Sequence, residues 1–392
     1  MTAVPERPRE PDLTNALARV REVTEAHVVR TDREAAFPVE ALDEMRRTGL
    51  LGLLVPVEYG GLGGTVRDLV VAAQSLSRGD MSVGMIFAMH CQQTAAVVRY
   101  ADDRLRKELL PRIAAGEVYL ASVTTEAGKG GHLLTARARL AGTADRLEID
   151  RFAPIVTGGA YADGFLITMR GPGDAADTDV SLVYADREQV EVTGSGDWDP
   201  MGMRASHSVP LRLAGSVPGH HVVGAPGRFR EIAGTVFGPL AHVGWSAVWL
   251  GTAAGALSRV LGLLRSPAGR ERFDLGSELL LTRLSRARQR LDTVHALLAH
   301  TVEVVESGED LSRPSRQLLL NSLKITASEE CLAAVDGLVE AVGLRHGYLK
   351  DSPTRLELAL RDLRSAALNY SNDRLHLADG RLALLDRGVT FA

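Results

Sequence analysis

The chain has 392 residues, 45% of them hydrophobic and 24% charged, and a formal net charge of -4 from 45 basic and 49 acidic side chains. That balance excludes disorder and fibrous architecture as the main state, and it offers no basic footprint for nucleic acid or an anionic membrane. Two cysteines, Cys91 and Cys331, are too few for a disulfide framework or a zinc cluster, so no metal is expected and a reducing, cytoplasmic home is the simplest.

Aromatic residues make up only 5% of the chain. The core must then be built from Leu, Val and Ala, which favours close-packed helices. The polar start with its two prolines is unlike a secretory signal. The apolar stretch 236–264 holds His242, Arg259 and several glycines, so it reads as a buried core helix rather than a membrane span.

Up to about residue 115 the apolar spacing is helical. Residues 37–49 read as a helix entered through Pro38 and ended at Gly49. A loop follows, with Gly60, Gly61, Gly63 and Gly64. Further helices are expected over 66–78 and 81–100, the second nearly all apolar and therefore buried. Asp102 opens another helix, an acid where the helix dipole favours it. Between 119 and about 223 the pattern changes. Short runs at 119–124, 147–149, 164–169 and 180–184 are separated by Gly, Asp and Pro, and read as strands. Residues 171–179 form the polar tip of a hairpin. From about 229 the pattern is helical again, over 234–264, 278–307, 315–342 and 352–368. Helices of that length with short loops predict an antiparallel bundle. The expected fold is mostly α with a small β domain. Its parts are a helical domain over residues 1–118, a β domain over 119–228 and a helical bundle over 229–392.

Five local sequences, in order along nearly the whole chain, carry a resemblance. They are GLLVPVEYGG at 52–61, LLPRIAAGE at 109–117, Thr125-Glu126, MGMRASHS at 201–208 and PTRLELALRD at 353–362. Together they resemble the acyl-CoA dehydrogenase superfamily. The resemblance implies an N-terminal helical domain, a central β barrel-like domain and a C-terminal four-helix bundle. It further implies a flavoprotein assembled as a homodimer or homotetramer, with FAD or FMN between the β domain and the bundles.

The segment after the first strand holds Thr124, Thr125, Gly128, Gly130 and Gly131. Small residues let backbone N–H groups approach a flavin, and a threonine hydroxyl can bond a ring atom. The resemblance makes Thr125 a flavin-bonding residue. Gly131 and His132 stand where the family has a serine and an acid. Ile155 takes the place of an aromatic that stacks on the flavin, and Thr157 that of a hydroxyl near N5. Arg204 and Ser206, with Ser208, lie in a matching hinge segment and either contact substrate or brace the hinge. Arg270 and Phe273 are similar to the family's Arg-x-x-Phe, which reaches a neighbouring subunit's flavin. Asn372 and Arg374 replace the usual adenine-side threonine and glutamine.

Thioester dehydrogenation needs a carboxylate beside a weakly acidic α-proton while hydride leaves to the flavin. The resemblance places that glutamate at one of two positions, and here they hold Tyr370 and Ala241. An unperturbed tyrosine titrates near pH 10 and is a poor base. Asp373, one helical turn further on, is the nearby acid, and Glu231 is a distant candidate. Some relatives instead take reduced flavin from a partner reductase and use oxygen to hydroxylate a substrate, which needs no carboxylate. His90, Asn369 and Tyr370 are the catalytic candidates for that chemistry.

Three readings follow. The first is an oxygen-using monooxygenase acting on a small organic or carrier-bound substrate. The second is a dehydrogenase of acyl thioesters with a relocated base. The third is a degenerate assembly subunit.

Overall fold

The computed structural model describes residues 10–128, 132–194 and 196–386. Five helices come first: α1 (Glu10–Glu34), α2 (Val39–Arg47), α3 (Val66–Ser77), α4 (Met81–Tyr100) and α5 (Asp103–Ala114). Pro38 stands immediately before α2, and Gly49 lies just past its end with φ of +70°. Asp102 caps α5 by accepting from the Leu105 amide at 2.7 Å.

Eight strands follow: β1 (Leu120–Val123), β2 (Ala141–Gly142), β3 (Arg146–Ala153), β4 (Gly164–Arg170), β5 (Val180–Asp186), β6 (Val190–Gly194), β7 (Leu211–Pro218) and β8 (Val222–Val223). They form two four-stranded sheets, ordered β1-β4-β5-β8 and β2-β3-β7-β6. The only parallel pairing among these strands is β1 with β4. β4 and β5 make the expected hairpin, from Gly164 opposite Asp186 to Arg170 opposite Val180. Both are buried along nearly their whole length and so read as unbroken apolar runs. The second half of β3 alternates, which marks one buried face and one wet face.

The remaining helices are α6 (Phe229–Ile232), α7 (Gly238–Arg265), α8 (Pro267–Arg272), α9 (Glu278–Glu306), α10 (Pro314–Gly343), α11 (Leu356–Leu363) and α12 (Asn372–Ala383). The helix expected over 352–368 is shorter than its pattern suggested. Arg355 sits at its start in the left-handed conformation, with φ of +49°. The Ser352 hydroxyl, hydrogen-bonded to the Thr354 hydroxyl, donates to the His346 carbonyl, and the chain turns before α11 begins. Past Leu363 it turns again until α12.

By contact these segments gather into two compact units. The first comprises Met1–Leu69, Ile86–Asp199 and Arg204–Ala241, so N-terminal helices and both sheets share one core. The second comprises Val70–Met85, Pro200–Met203 and His242–Ala392. In the second unit α9 and α10 pack along each other, and α10 also carries α11 and α12. The short loop 201–203 docks on α11: the Met203 amide donates to Asp362 Oδ1 at 2.6 Å, and Arg361 donates to the Met201 carbonyl at 3.0 Å. Two of the five local sequences behind the resemblance therefore meet.

The helical stretch Phe229–Arg265 is long and apolar enough to cross a membrane, with a mean hydropathy of 1.5 in its most apolar window. Yet 67% of that window is buried inside the protein, as a core helix requires. A π-helical turn, Ala233–Phe237, joins α6 to α7. Such turns free a carbonyl from the helical ladder. Here Gln92 donates to the Phe237 carbonyl at 2.5 Å, and Tyr100 and Thr235 share a hydroxyl contact at 2.6 Å.

Candidate flavin and substrate site

In the first unit, the chain leaving β1 is pinned by a buried charge. Arg151 on β3 is fully buried, and its guanidinium donates to the carbonyls of Thr125 at 2.7 Å, Phe152 at 2.6 Å and Thr168 at 3.2 Å. It also pairs with Glu126 at 3.2 Å. Glu126 in turn accepts from the amides of Arg137 and Ala138 at 2.9 and 2.8 Å. The bonds to Phe152 and Thr168 anchor the arginine in the sheet, and those to Thr125 and Glu126 hold the 125–126 segment against it. Sequence reasoning missed Arg151, because an arginine in an alternating strand reads as solvated. The partner it answers, Glu126, was in view.

On that fixed backbone the Thr125 hydroxyl donates to the Ile155 carbonyl at 2.7 Å. Its proton is committed, so it presents lone pairs to a ligand N–H. Ile155 itself is half exposed, an unusual state for an isoleucine. Beyond it, Thr157, Ser208 and Ser206 form a hydroxyl chain with contacts of 3.0 and 2.9 Å. Ser206 and Ser208 are buried, while Thr157 is half-buried. Gly158 turns the chain here with φ of +60°, and a Cβ would fall 2.6 Å from the Tyr119 hydroxyl. No other residue fits. Three aromatics gather around this turn. Phe37 stacks on Tyr161 at 4.3 Å, Tyr119 lies 6.3 Å from Phe37, and His207 meets Tyr161 edge-on.

The structure decides two expected roles. His90 is fully buried in α4, and its Nδ1 accepts from the Leu120 amide at 3.0 Å. That leaves the proton on Nε2, which donates to the Leu51 carbonyl at 2.9 Å. Burial pushes its pKa down to about 4. With both nitrogens engaged by backbone, His90 is a clamp between α4, the 50–52 turn and β1, and the catalytic role is corrected to a structural one. Arg204 was expected either to contact substrate or to brace the hinge. Its guanidinium donates to the Asp32 carbonyl at 2.7 Å and pairs with Asp199, bracing the end of α1. The hinge-bracing alternative is the one its geometry meets. Ser206 keeps its place in the hydroxyl chain. Thr124 is half-buried beside Thr125, while Gly130 and Gly131 lie outside the described residues.

In the second unit the candidates surround a buried lysine. Lys324 on α10 is fully buried, and its Nζ donates to Asn372 Oδ1 at 2.6 Å and to the Tyr370 carbonyl at 3.2 Å. It also lies 5.7 Å from the Trp249 ring. Desolvation pulls its pKa down to about 8. Asn372 donates to Ser328 and Glu329 at 3.0 and 3.1 Å. The Asn369–Tyr370 turn is therefore held from below by a cation. Tyr370 has φ of +50°, and its side chain is exposed at 42%. Asn369 is half-buried. His242, Ser246 and Trp249 line one face of α7, near Lys324. Each carries a buried polar atom without a hydrogen-bond partner in the structure. Burial, then the Lys324 charge, holds the His242 pKa at about 4. That face offers polar atoms to a bound polar group.

Neither expected base position holds an acid: Tyr370 is a phenol and Ala241 a buried methyl. The substitutes Asp373 and Glu231 are both exposed. Arg270 is exposed on α8, and Phe273 is half-buried with its ring 5.9 Å from His346.

Comparison with known proteins gives concordant results. Residues 12–117 match the acyl-CoA dehydrogenase N-terminal domain, and residues 243–372 match the acyl-CoA dehydrogenase C-terminal domain. The chain is 25% identical over 372 residues to a dibenzothiophene monooxygenase of Rhodococcus erythropolis, covering 88% of this chain and 89% of that one. It is 22% identical over 328 residues to an acyl-CoA dehydrogenase of Bacillus subtilis (strain 168), covering 83% and 84%. The structure of TdsC from Paenibacillus sp. A11-2 with FMN and indole superimposes with a TM-score of 0.84 at 22% identity, over 97% of this chain and 98% of the other. At that identity the superposition shows the fold.

Proposed function

The chain belongs to the acyl-CoA dehydrogenase family, and from that premise we propose that it is a flavin-dependent monooxygenase. The observation that carries this reading is the missing base: Tyr370 and Ala241 stand at both positions where the resemblance calls for a glutamate, and Asp373 and Glu231 face solvent. The relative from Rhodococcus erythropolis, a dibenzothiophene monooxygenase, supports it.

The residues fit a flavin ring. Half-exposed Ile155 is an apolar platform between two hydroxyls, Thr125 and Thr157. Thr125 accepts from a ring N–H because its own proton is engaged, and Arg151 holds it in place. Thr157 offers the end of a hydroxyl chain whose protons can reorient toward donor or acceptor. When bound in its reduced form, FMN or FAD supplies two electrons to oxygen, so that one oxygen atom enters the substrate and the other leaves as water. Ile155 in place of a stacking aromatic favours a flavin that is exchanged between turnovers, and hence a partner flavin reductase. Indole and dibenzothiophene are the first probes, given what the relatives' names report. Exposed leucines on the bundle, Leu279, Leu281, Leu377 and Leu384, support assembly as a homodimer or homotetramer. Buried, free Cys91 and Cys331 suit a reducing cytoplasmic setting.

The test separates the two chemistries. Under anaerobic conditions, protein loaded with oxidised flavin and mixed with a panel of acyl-CoA thioesters is expected to keep its flavin absorbance. In air, with a flavin reductase and NADH, it is expected to convert at least one probe to an oxygenated product. Bleaching by an acyl-CoA would establish the dehydrogenase instead. Failure to bind FMN and FAD with micromolar affinity would leave the assembly-subunit reading.

A further inference from the structure

We propose that Glu108, His220 and His221 form a binding site for a divalent transition-metal ion, with Zn2+ the expected occupant. This site plays no part in the flavin chemistry above. The side chains converge from two places in the first unit. Glu108 lies on α5, and the two histidines occupy the tight turn Gly219–His221 between β7 and β8. One ligand atom from each residue lies within 4.8 Å of the others. His220 Nε2 is 3.0 Å from Glu108 Oε2, and His221 Nε2 is 3.9 Å from the same oxygen. Metal–ligand distances of about 2.0–2.2 Å put the donor atoms of a tetrahedral site roughly 3.3 Å apart. A small rotation of the two rings closes the set onto an ion.

Convergence alone would describe an ion pair. Three further features argue for a built site. His221 Nδ1 faces the Tyr184 carbonyl at 3.2 Å, and a carbonyl can only accept. The proton is thereby fixed on Nδ1, and the Nε2 lone pair points at the cluster. A backbone carbonyl of this kind is the usual orienting partner of a metal-binding histidine. Glu108 is oriented in the same manner: Arg104, one turn earlier, donates to Oε1 at 3.0 Å and leaves Oε2 for the cluster. The turn itself is rigid. A Cβ on Gly219 would fall 1.7 Å from the Ala144 carbonyl oxygen, and the Gly219 amide donates to Asp145 at 2.8 Å. Consecutive histidines are thus presented by a backbone that only glycine permits, with their rings edge to face at 4.7 Å.

Two imidazoles and one carboxylate suit Zn2+, Co2+, Ni2+ or Cu2+ and not Ca2+ or Mg2+, which take oxygen ligands. A bound ion would tie the middle of α5 to the sheet through β8 and keep further coordination positions for water or a small anion. The sequence reading expected no metal because it counted cysteines. Glu108 and the histidine pair are 112 residues apart and meet only in the fold.

The experiment uses the full-length protein, stripped with a chelator and titrated with Zn2+ alone by calorimetry, then with Co2+ followed by visible absorption. One equivalent is expected to bind, with a rise in Tm and the appearance of Co2+ ligand-field bands. His220→Ala and Glu108→Gln should each lower the Zn2+ affinity at least about tenfold and abolish the Tm rise. Glu108→Gln keeps the shape and a hydrogen-bonding oxygen, so it reports on ligation even if His220→Ala unfolds. As a control, His376→Ala on α12 should bind as the wild type does. Equal Zn2+ binding by wild type and both variants, or no Co2+ spectrum in the wild type, overturns the proposal and leaves a His220–Glu108 ion pair.

Discussion

Replacing Arg151 with methionine will destabilise the first unit by about 3–5 kcal/mol, the usual cost of breaking a buried ion pair from one side. The guanidinium is fully buried and answers three carbonyls and one carboxylate. Methionine has similar length but no donors, so the carbonyls of Thr125, Phe152 and Thr168 lose that arginine's bonds. Glu126 keeps the Arg137 and Ala138 amides but loses the Arg151 charge. Urea unfolding at pH 7 measures the loss. Glu126→Gln in the same background separates the pair from the rest: the two changes together should cost clearly less than their sum. Flavin affinity should fall alongside, because Thr125 is positioned through the carbonyl that Arg151 holds. A loss under 1 kcal/mol with flavin binding intact would mean the arginine does not organise this segment.

Acid will weaken the protein through two buried histidines. His90 and His242 both have folded-state pKa values of about 4, against about 6.5 in an unfolded chain. Between those values the unfolded chain takes up a proton that the folded protein refuses. Stability is therefore complete above pH 6.5 and is lost as the pH falls toward 4, by roughly 3 kcal/mol for each histidine. The two lie in different units, so each unit should respond. Denaturant titrations at pH 7, 5.5 and 4 check this. His90→Gln will lower stability at neutral pH, since it disturbs the bonds to Leu51 and Leu120, but its acid slope should be shallower by about one histidine's share. A slope equal to the wild type's would show that His90 is not held neutral.

The fold was legible because its signals are local. Pro38, Gly49 and Asp102 mark helix ends by their own backbone chemistry, and the 164–184 hairpin announces itself by two apolar runs around a polar tip. β6 and β7 were missed. Their residues mix Gly, Ser, Arg and Pro, and they are held by pairing, β7 with β3 and β6 with β7, not by propensity. The site was legible only where small residues and hydroxyls cluster in sequence, as at Thr125, Thr157 and Ser206. Side chains whose meaning depends on distant partners were misread. His90 pointed to catalysis until Leu51 and Leu120, 39 and 30 residues away, took its two nitrogens. Arg204 pointed to substrate or hinge alike until the end of α1 claimed it. Arg151 drew no notice at all. Lys324 escaped for the same reason: in sequence it is one more helix lysine, and only the fold places it beneath the Tyr370 turn.

This scaffold, with Tyr370 and Ala241 where a base would stand, oxygenates its substrate. Labelled oxygen tests it most directly. Protein supplied with a flavin reductase, NADH, FMN and a converted probe under 18O2 should yield a product carrying one 18O atom, and none when the label is in the water. A product with its new oxygen from water, or an unsaturated product formed without oxygen, would mean that the protein is not a monooxygenase.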